Sequence, residues 1–443
     1  MAIRYDELIP RLKRLLPPRL LGHIARDVQF IERLRAIRAS CFVWAVVLSR
    51  FGSGIPGFAE ARHWYERLGG ARLWPRPFQM RFKKPAVVGL FERAFEEAVE
   101  PWRTCRRGPR HPLARWFPDV VAWDSTLVQV ADALRPVFKG ARGAKASLKV
   151  ALGISVFGRL PLFAQMIAGH RHDMLVFPRL EAFRKGTLWL FDKGFVAYDR
   201  LRDIDAAGQY FLCPMRLNGN AAVERVRLAP ARARRRLKVA RKEMWLRSLL
   251  PRKKKIGRNW DLDVVVWPKT MARSRQQVRV RLVIVPGPDG EQRPYLTNLP
   301  ADRWTPAFLR EAYRLRWQVE LVFKELKQDL NLRAVPSKDP CAVLVFAWAS
   351  LIALALSRAV ATWLQPLATL VGLATAVRPA LITRALRGAI RFLAAALVAG
   401  TPQVGVFLRL LAEDVLREAR TAEHEREDSF ARLATLIPGR AAA

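Results

Sequence analysis

Apolar side chains recur every three or four positions through the first 110 residues of the chain. Leu12 and Leu16 belong to this pattern, which returns at Phe42 and Val46. Such spacing gathers the apolar groups on one side of a helix. We therefore predict a mostly helical N-terminal region. The basic stretch RTCRRGPRHP, at 103–112, follows it and is typical of a linker.

The spacing becomes strand-like in VVAWDSTLVQV, where every second side chain, including Asp124, faces the same side. Two further strands are expected around a hairpin turn at 157–159, and TLWLFDKGF predicts a buried strand that ends at Asp192. Helices are expected at 173–183 and 198–207. The resulting order of strand, strand, strand, helix, strand, helix and strand is the one expected of a ribonuclease-H-like core.

A basic, β-rich insertion is predicted next, at about residues 217–303. It contains the runs ARARRRLKVARK and RKKK and three strand patterns. In a strongly cationic chain such runs favour contact with nucleic-acid phosphates, and the alternative is a solvated loop. The DNA-binding candidates in this insertion are Arg234, Arg235, Arg236, Lys253, Lys254 and Lys255.

One long amphipathic helix is expected at 306–330, followed by Ala- and Leu-rich helices at 341–443. The pattern predicts an α/β fold, in which a ribonuclease-H-like catalytic core with a β-rich insertion is flanked by helical N- and C-terminal regions. Residues 1–115 are expected to form a helical DNA-binding domain with a basic linker, and a solvated basic domain is the alternative. Residues 116–340 are expected to form the catalytic domain.

The composition indicates a polyanionic partner. Lysine and arginine number 77 against 38 aspartate and glutamate, a formal net charge of +39, although 51% of the residues are hydrophobic. A globular chain with this excess charge repels itself, and nucleic acid is the first candidate to neutralise it. An anionic membrane surface is the second.

Three further features bear on location. The four cysteines are far apart and form no CxxC pair, so we expect reduced thiols in a cytoplasmic protein and no structural zinc site. Charges interrupt the first apolar run, so we expect no signal peptide. The apolar segment at 341–357 is slightly shorter than the roughly 18 to 20 residues of a membrane span. We interpret it as a buried core helix, with a membrane helix as the alternative.

Four polar side chains share one edge of the helix expected at 306–330. With Tyr313 as zero and about 100° per residue, Arg316, Glu320 and Lys327 fall within an arc of about 60°. The apolar stripe of the helix is separate from this edge. A carboxylate among cations suits a metal ion and successive phosphates, and the alternative is a solvated face with ion pairs.

Asp124 lies within an apolar strand, where a buried carboxylate is costly unless it is paired or bound to a cation. Asp192 ends a second apolar strand. In the predicted topology these strands are adjacent, which would bring both carboxylates to one metal site. Oxygen ligands without a Cys or His cluster favour Mg²⁺ or Mn²⁺. For Asp192 a turn or cap role is the alternative, and Asp199 is the substitute ligand.

The spacing of four side chains matches the Y-(2)-R-(3)-E-(6)-K signature of the insertion-sequence transposases often called the YREK group. They are Tyr313, Arg316, Glu320 and Lys327. The contexts WDST at Asp124 and DKGF at Asp192 are also similar to that family, with Lys193 where arginine is more usual. Over roughly residues 118–335 the chain therefore resembles a DDE transposase of the insertion-sequence-four-like (YREK) family.

The resemblance implies cut-and-paste transposition, in which DNA is cleaved at transposon ends and transferred into target DNA. Asp124, Asp192 and Glu320 would be the catalytic residues and the ligands of two Mg²⁺ or Mn²⁺ ions per active site. Tyr313, Arg316 and Lys327 would hold DNA phosphates. The expected alternatives are a metal-dependent DNA nuclease and a non-catalytic, transposase-derived DNA-binding protein.

The resemblance also implies partners and further residues. We expect double-stranded DNA, both transposon ends and target, a homodimer in the DNA complex, a location at the bacterial nucleoid in the cytoplasm, and no membrane partner. The platform candidates for a flipped base are Trp260, Trp267 and Trp317.

In the segment GHRHDM, the pair His170 and His172 suggests a metal site, but capping of a helix by Asp173 is favoured.

Overall fold

The computed structural model describes residues 8–31, 37–52, 57–104, 112–141, 145–215, 220–229, 244–245, 256, 258–267, 277–333, 337–370, 379–399, 411, 413–415, 433 and 435–436. Within these residues, helices from both ends of the chain share a hydrophobic core with one face of a mixed β-sheet. The architecture is therefore mixed α/β, with a large sheet and flanking helices.

Six α-helices are described in the N-terminal region, as the spacing of apolar residues predicts. They are α1 (Leu8–Leu15), α2 (Pro18–Asp27), α3 (Ala39–Ser49), α4 (Phe58–Arg67), α5 (Pro75–Arg81) and α6 (Pro85–Thr104). Leu12, Phe42 and Val46 are fully buried. Phe82, directly after α5, stacks on Phe346 of the C-terminal region with ring centroids 5.3 Å apart. The two terminal regions therefore pack against each other.

Ten described strands form one sheet. They are β1 (Val120–Gln129), β2 (Ser147–Ser155), β3 (Leu160–Ala168), β4 (Leu188–Phe191), β5 (Tyr210–Pro214), β6 (Asn220–Leu228), β7 (Met244–Trp245), β8 (Trp260–Trp267), β9 (Val278–Pro286) and β10 (Gln292–Thr297). Their order is β3-β2-β1-β4-β5-β10-β9-β8-β6-β7. The β1–β4 and β4–β5 pairs are parallel, and the other pairs are antiparallel. The strands of the predicted insertion thus continue the sheet from β5.

Two connections between the first strands were predicted, a hairpin turn and a helix, and only the hairpin is present. The hairpin at 157–159 joins β2 to β3, with Arg159 at a positive φ of 52°. The helix predicted at 173–183 is wrong, because only short 3-10 turns form, at Asp173–Leu175 and Leu180–Ala182. Pro178 lies between them and disfavours a helical backbone at the residue before it.

Helix α7 (Tyr198–Ala206) lies between β4 and β5, and further helices follow the sheet. They are α8 (Pro306–Arg314), α9 (Trp317–Gln328), α10 (Pro340–Leu370) and α11 (Pro379–Ala399). The prediction of one continuous helix at 306–330 is wrong. The N–H groups of Leu315 and Arg316 bond to carbonyls three residues back, at Ala312 and Tyr313. Such bonds tighten the backbone into a 3-10 turn, which separates α8 from α9.

Helix α10 contains the apolar segment that the sequence places at 341–357, and it is longer than that segment. The part from Pro340 to Gln365 is long and apolar enough to cross a membrane, with a mean hydropathy of 2.1. However, 83% of its apolar window is buried inside the protein. Its side chains pack with the N-terminal helices and with one face of the sheet, as expected of a core helix.

Candidate active site

The two aspartates expected at the active site follow neighbouring parallel strands. The pairing of β1 with β4 aligns Ala122 with Leu190, and both side chains belong to the core that includes α9. Because side chains alternate along a strand, the residues two positions later point the same way. These residues are Asp124 and Asp192, and Asp192 keeps an extended backbone with φ −79° and ψ 164°. The predicted adjacency of the two strands is confirmed.

Helix α9 begins beside these aspartates and brings Arg316 and Glu320 to them. Nη1 of Arg316 donates to Oδ2 of Asp124 at 2.8 Å, and Nη2 donates to Oε1 of Glu320 at 2.5 Å. The side chains of Arg316, Asp124 and Glu320 are 16%, 20% and 32% exposed. One guanidinium therefore bridges two carboxylates in a partly buried setting, where charges are screened less than at the surface.

The electrostatic setting of Asp124 is unfavourable for its charged form. Burial raises its pKa from 3.8 to about 6, and the negative charges of Asp192 and Glu320 act in the same direction. The N–H of Ser125, which donates to Oδ1 at 2.7 Å, and the charge of Arg316 lower the pKa but do not offset burial. A further cation near Asp124 would therefore be stabilised.

Tyr313 and Lys327 are the other two residues of the signature. The ring of Tyr313 is 5.0 Å from that of Tyr295, and the guanidinium carbon of Arg316 is 5.8 Å from the centre of the Tyr313 ring. Burial raises the pKa of Tyr313 and lowers the pKa of Lys327. Nζ of Lys327 donates to Oγ1 of Thr126 in β1. Arg316 and Lys327 thus bond directly to β1 and Glu320 joins them through Arg316, whereas Tyr313 packs against Tyr295 of β10.

The chemistry of the acids suits a hard divalent cation, but their placement does not form a closed ligand set. Three carboxylates supply oxygen donors of the kind that Mg²⁺ and Mn²⁺ prefer. Across the described part of the chain, no group of three or more His, Cys, Asp or Glu side chains is arranged to hold a metal ion. Arg316 is instead the cation shared by Asp124 and Glu320. An ion that bound both carboxylates would compete with this arginine.

Other residues singled out by the sequence lie elsewhere. Trp260 and Trp267 are only 3% and 5% exposed, so they pack in the sheet, whereas Trp317 is 57% exposed beside Arg316. Asp199 lies in the first turn of α7 and pairs with Arg202 at 3.6 Å. The basic candidates outside the described residues are Arg234, Arg235, Arg236, Lys253, Lys254 and Lys255.

The cap predicted at Asp173 is wrong. His172 holds the N-cap position of the 3-10 turn and makes no side-chain cap bond. Asp173 instead forms an ion pair with Lys149 of β2, with Nζ and Oδ1 2.9 Å apart. Sequence reasoning missed this pair, although Lys149 is the one charged residue in the apolar strand SLKVALGIS. A lone buried charge of this kind indicates a partner elsewhere in the chain.

Comparison with known proteins places this site in a family. Residues 115–356, more than half of the 443 residues, match the family model of the transposase DDE domain. The matched range contains Asp124, Asp192 and Glu320. The chain is also 30% identical over 181 residues to the putative transposase y4zB of Sinorhizobium fredii, an alignment that covers 41% of this chain and 44% of that relative. The chain thus spans less than half of that relative's length.

Two longer alignments agree with this result. The chain is 22% identical over 367 residues to the transposase for insertion sequence element IS231F of Bacillus thuringiensis subsp. israelensis, covering 74% of each protein. It is 25% identical over 350 residues to the transposase for insertion sequence element IS231E of Bacillus thuringiensis subsp. finitimus, covering 71% of each. Since the family model matches more than half of its residues, the chain belongs to the transposase DDE domain family.

Proposed function

We propose that this chain is a cut-and-paste transposase, which cleaves DNA at the ends of a transposable element and joins those ends to target DNA. The observation that carries the proposal is the placement of Asp124 and Asp192 after adjacent parallel strands, on the face where Arg316 links Asp124 to Glu320. These three acids are the proposed catalytic residues. Membership of the transposase DDE domain family supports the proposal.

We interpret the strands β3-β2-β1-β4-β5 as a ribonuclease-H-like core. In support, β1, β2 and β3 form an antiparallel meander, and β4 and β5 continue the sheet parallel to β1, with α7 between them. The remaining strands would then be the insertion of about residues 217–303. On this basis we propose a catalytic domain at 116–340 between helical domains at 1–115 and 341–443, and we assign the chain to the YREK group.

Asp124, Asp192 and Glu320 would hold two Mg²⁺ or Mn²⁺ ions, because DDE transposase domains generally use divalent metal ions. Bound ions of this kind lower the pKa of an attacking hydroxyl group and stabilise a leaving oxygen. Arg316 would release Asp124 and Glu320 and turn its guanidinium toward a phosphate. With Tyr313 and Lys327 it would then hold the DNA end. The exposed Trp317 is a platform for an unstacked base.

The N-terminal region is the proposed second DNA contact. Residues 71–91 contain five Arg or Lys residues and no Asp or Glu. Trp74 is 81% exposed, and the neighbouring Arg72 and Arg76 are also exposed. An exposed aromatic ring among cations suits stacking on a base and contact with phosphates.

The proposed partners are double-stranded transposon ends and target DNA. A homodimer would bind them at the nucleoid in the bacterial cytoplasm.

A matched pair of variants tests the proposed function. The purified chain is incubated with Mg²⁺ and a linear DNA that carries the inverted repeats flanking its coding region. We expect strand cleavage at the repeats by the wild type, loss of cleavage in Asp124→Asn, and retained DNA binding in both. Asp199→Asn, a change of the same chemistry in α7, should cleave normally. Cleavage by Asp124→Asn at the wild-type rate would contradict the assignment.

A second assay separates transposition from simple hydrolysis. A pre-cleaved end with a free 3′-hydroxyl is supplied together with a target plasmid, and joined products are detected on a gel. A transposase joins the end to the plasmid, whereas a nuclease only cuts. Binding without cutting or joining by the wild type would indicate a non-catalytic DNA-binding protein.

A further inference from the structure

A buried ion pair lies on the opposite face of the sheet from Glu320. Lys149 of β2 is only 7% exposed, and its Nζ is 2.9 Å from Oδ1 of Asp173. Nζ also donates to the carbonyl of Arg171 at 2.5 Å. A buried ammonium group is costly without a counter-charge. The pair therefore fixes the 3-10 turn of Asp173 against the sheet.

The same carboxylate reaches the residue next to Asp124. Oγ of Ser125 donates to Oδ1 of Asp173 at 2.8 Å, and the backbone N–H of Ser125 donates to Oδ1 of Asp124 at 2.7 Å. Ser125 thus holds one aspartate through its side chain and the other through its backbone. Neighbouring residues of a strand point to opposite faces, so Asp173 supports Asp124 from behind the sheet.

The second oxygen of Asp173 faces the turn that follows Asp192. A Cβ atom built on Gly194 would lie 3.4 Å from Oδ2 of Asp173. Gly194 belongs to the 3-10 turn Lys193–Phe195, which begins directly after Asp192. One side chain therefore bonds to the residue after Asp124 and lies close to the turn after Asp192.

We propose that Asp173, held by Lys149, is a positioning residue that sets the placement of Asp124 and Asp192 for binding a divalent cation. This inference rests on the proposed function of those two acids. Asp173 acts through Ser125 and the turn at Gly194. Groups that orient metal-binding side chains from behind change metal affinity by about 10- to 100-fold when they are removed.

The test measures metal binding by the full chain without DNA. Mn²⁺ affinity is determined by electron paramagnetic resonance for the wild type and for Asp173→Ala, Ser125→Ala and Ser125→Thr. We expect Asp173→Ala and Ser125→Ala to weaken Mn²⁺ binding by about 10-fold. Ser125→Thr keeps the hydroxyl group and should bind Mn²⁺ like the wild type. Asp199→Asn is the control for loss of an acid outside this cluster.

A cleavage assay gives a second measurement. The Mg²⁺ concentration for half-maximal cleavage should rise by about the same factor in Asp173→Ala and Ser125→Ala, and the rate at saturating Mg²⁺ should recover. A merely structural role would lower the rate at every Mg²⁺ concentration. Should Asp173→Ala fail to fold, Ser125→Ala decides, because it leaves the Lys149–Asp173 pair intact.

The outcomes separate this inference from the proposed function. Unchanged Mn²⁺ affinity and unchanged Mg²⁺ dependence in Ser125→Ala would overturn the positioning role, even if Asp124→Asn is inactive. Active Asp124→Asn overturns the proposed function itself. Weaker Mn²⁺ binding in both Asp173→Ala and Ser125→Ala, with recovery in Ser125→Thr, supports the inference.

Discussion

Arg316 donates a hydrogen bond of 2.8 Å to Asp124, although the two residues are 192 positions apart in the chain. The same guanidinium holds Glu320. Its Nε is buried without a hydrogen-bond partner. The hydrogen bonds of the guanidinium to side chains are therefore those to the two carboxylates. Arg316 is therefore a cation that Asp124 and Glu320 share in the proposed active site.

Removing the Arg316 charge should make the carboxylates more available to a metal ion. In Arg316→Gln we expect Mn²⁺ binding without DNA to tighten several-fold, because the arginine no longer competes for Asp124 and Glu320. The cleavage rate should fall, since the proposed phosphate contact is lost as well. Titration calorimetry measures the first effect. Lys185→Gln removes an exposed cation elsewhere, and equal Mn²⁺ affinity in both variants would argue against competition.

The raised pKa of Asp124 predicts a pH-dependent stability. Because the folded-state pKa is about 6 and the ordinary value is 3.8, the folded protein binds more protons than the unfolded chain between these values. The contribution of Asp124 to the free energy of unfolding therefore falls as the pH rises from about 4 to 6 and stays lower above pH 6. In a chelating buffer, Asp124→Asn should be more stable than the wild type by about 2 to 3 kcal/mol near pH 8.

The difference should largely disappear near pH 3, where Asp124 is mostly protonated in both the folded protein and the unfolded chain. Urea unfolding at the two pH values measures it. An equal effect of the substitution at both pH values would show that the charge of Asp124 is not the cause.

A buried ion pair ties the helix of Glu320 to the C-terminal region. Arg358 of α10, fully buried, donates to both carboxylate oxygens of Glu325 in α9, at 2.9 and 2.6 Å. Glu325→Gln leaves the arginine charge without its counter-charge, and we expect a loss of about 3 to 5 kcal/mol in the free energy of unfolding. Urea denaturation of the full chain measures this loss.

The control uses the same substitution at a more exposed pair. Glu66 pairs with Arg62 at 2.7 Å, and both side chains are 29% exposed. Glu66→Gln should cost about 1 kcal/mol or less. The prediction fails if the two substitutions have equal cost. Replacing both partners, as Glu325→Leu with Arg358→Met, should restore much of the stability, because no buried charge remains.

The exposed ring of Trp74 provides a test of DNA contact by the N-terminal region. Trp74→Ala should weaken binding to a DNA end with unpaired bases by about 1 to 3 kcal/mol, because one stacking contact is lost. The salt dependence of binding should stay the same, since no charge is removed. Fluorescence anisotropy measures both quantities.

Removal of a charge beside Trp74 should instead change the salt dependence of DNA binding. Arg72→Gln and Arg76→Gln should each reduce the salt slope of binding by about 1 and weaken all DNA sequences alike. Leu175→Ala, at an apolar side chain that is 63% exposed in another part of the protein, should change neither quantity. Normal DNA affinity in all the variants near Trp74 would remove this surface from the proposed interface.

Much of the fold was predictable because local spacing reports which side of an element is buried. The alternation in VVAWDSTLVQV predicted β1 and the face of Asp124, and the helical spacing predicted the N-terminal helices. Where the prediction failed, a backbone constraint opposed the pattern: Pro178 prevents the helix at 173–183, and the 3-10 turn at Arg316 divides the helix at 306–330.

The sequence alone also determined which side chains are available to the proposed site. Tyr313, Arg316, Glu320 and Lys327 lie in one short segment, so their types and spacing can be read directly from it. The tertiary structure alone decided that Arg316 bridges Asp124 to Glu320, and that Asp173 meets Lys149 and Ser125. Periodicity carries information about burial only, whereas pairing between distant charges depends on how the strands and helices pack. That is why Asp173 looked like a helix cap in the sequence and lies behind Asp124 in the folded protein.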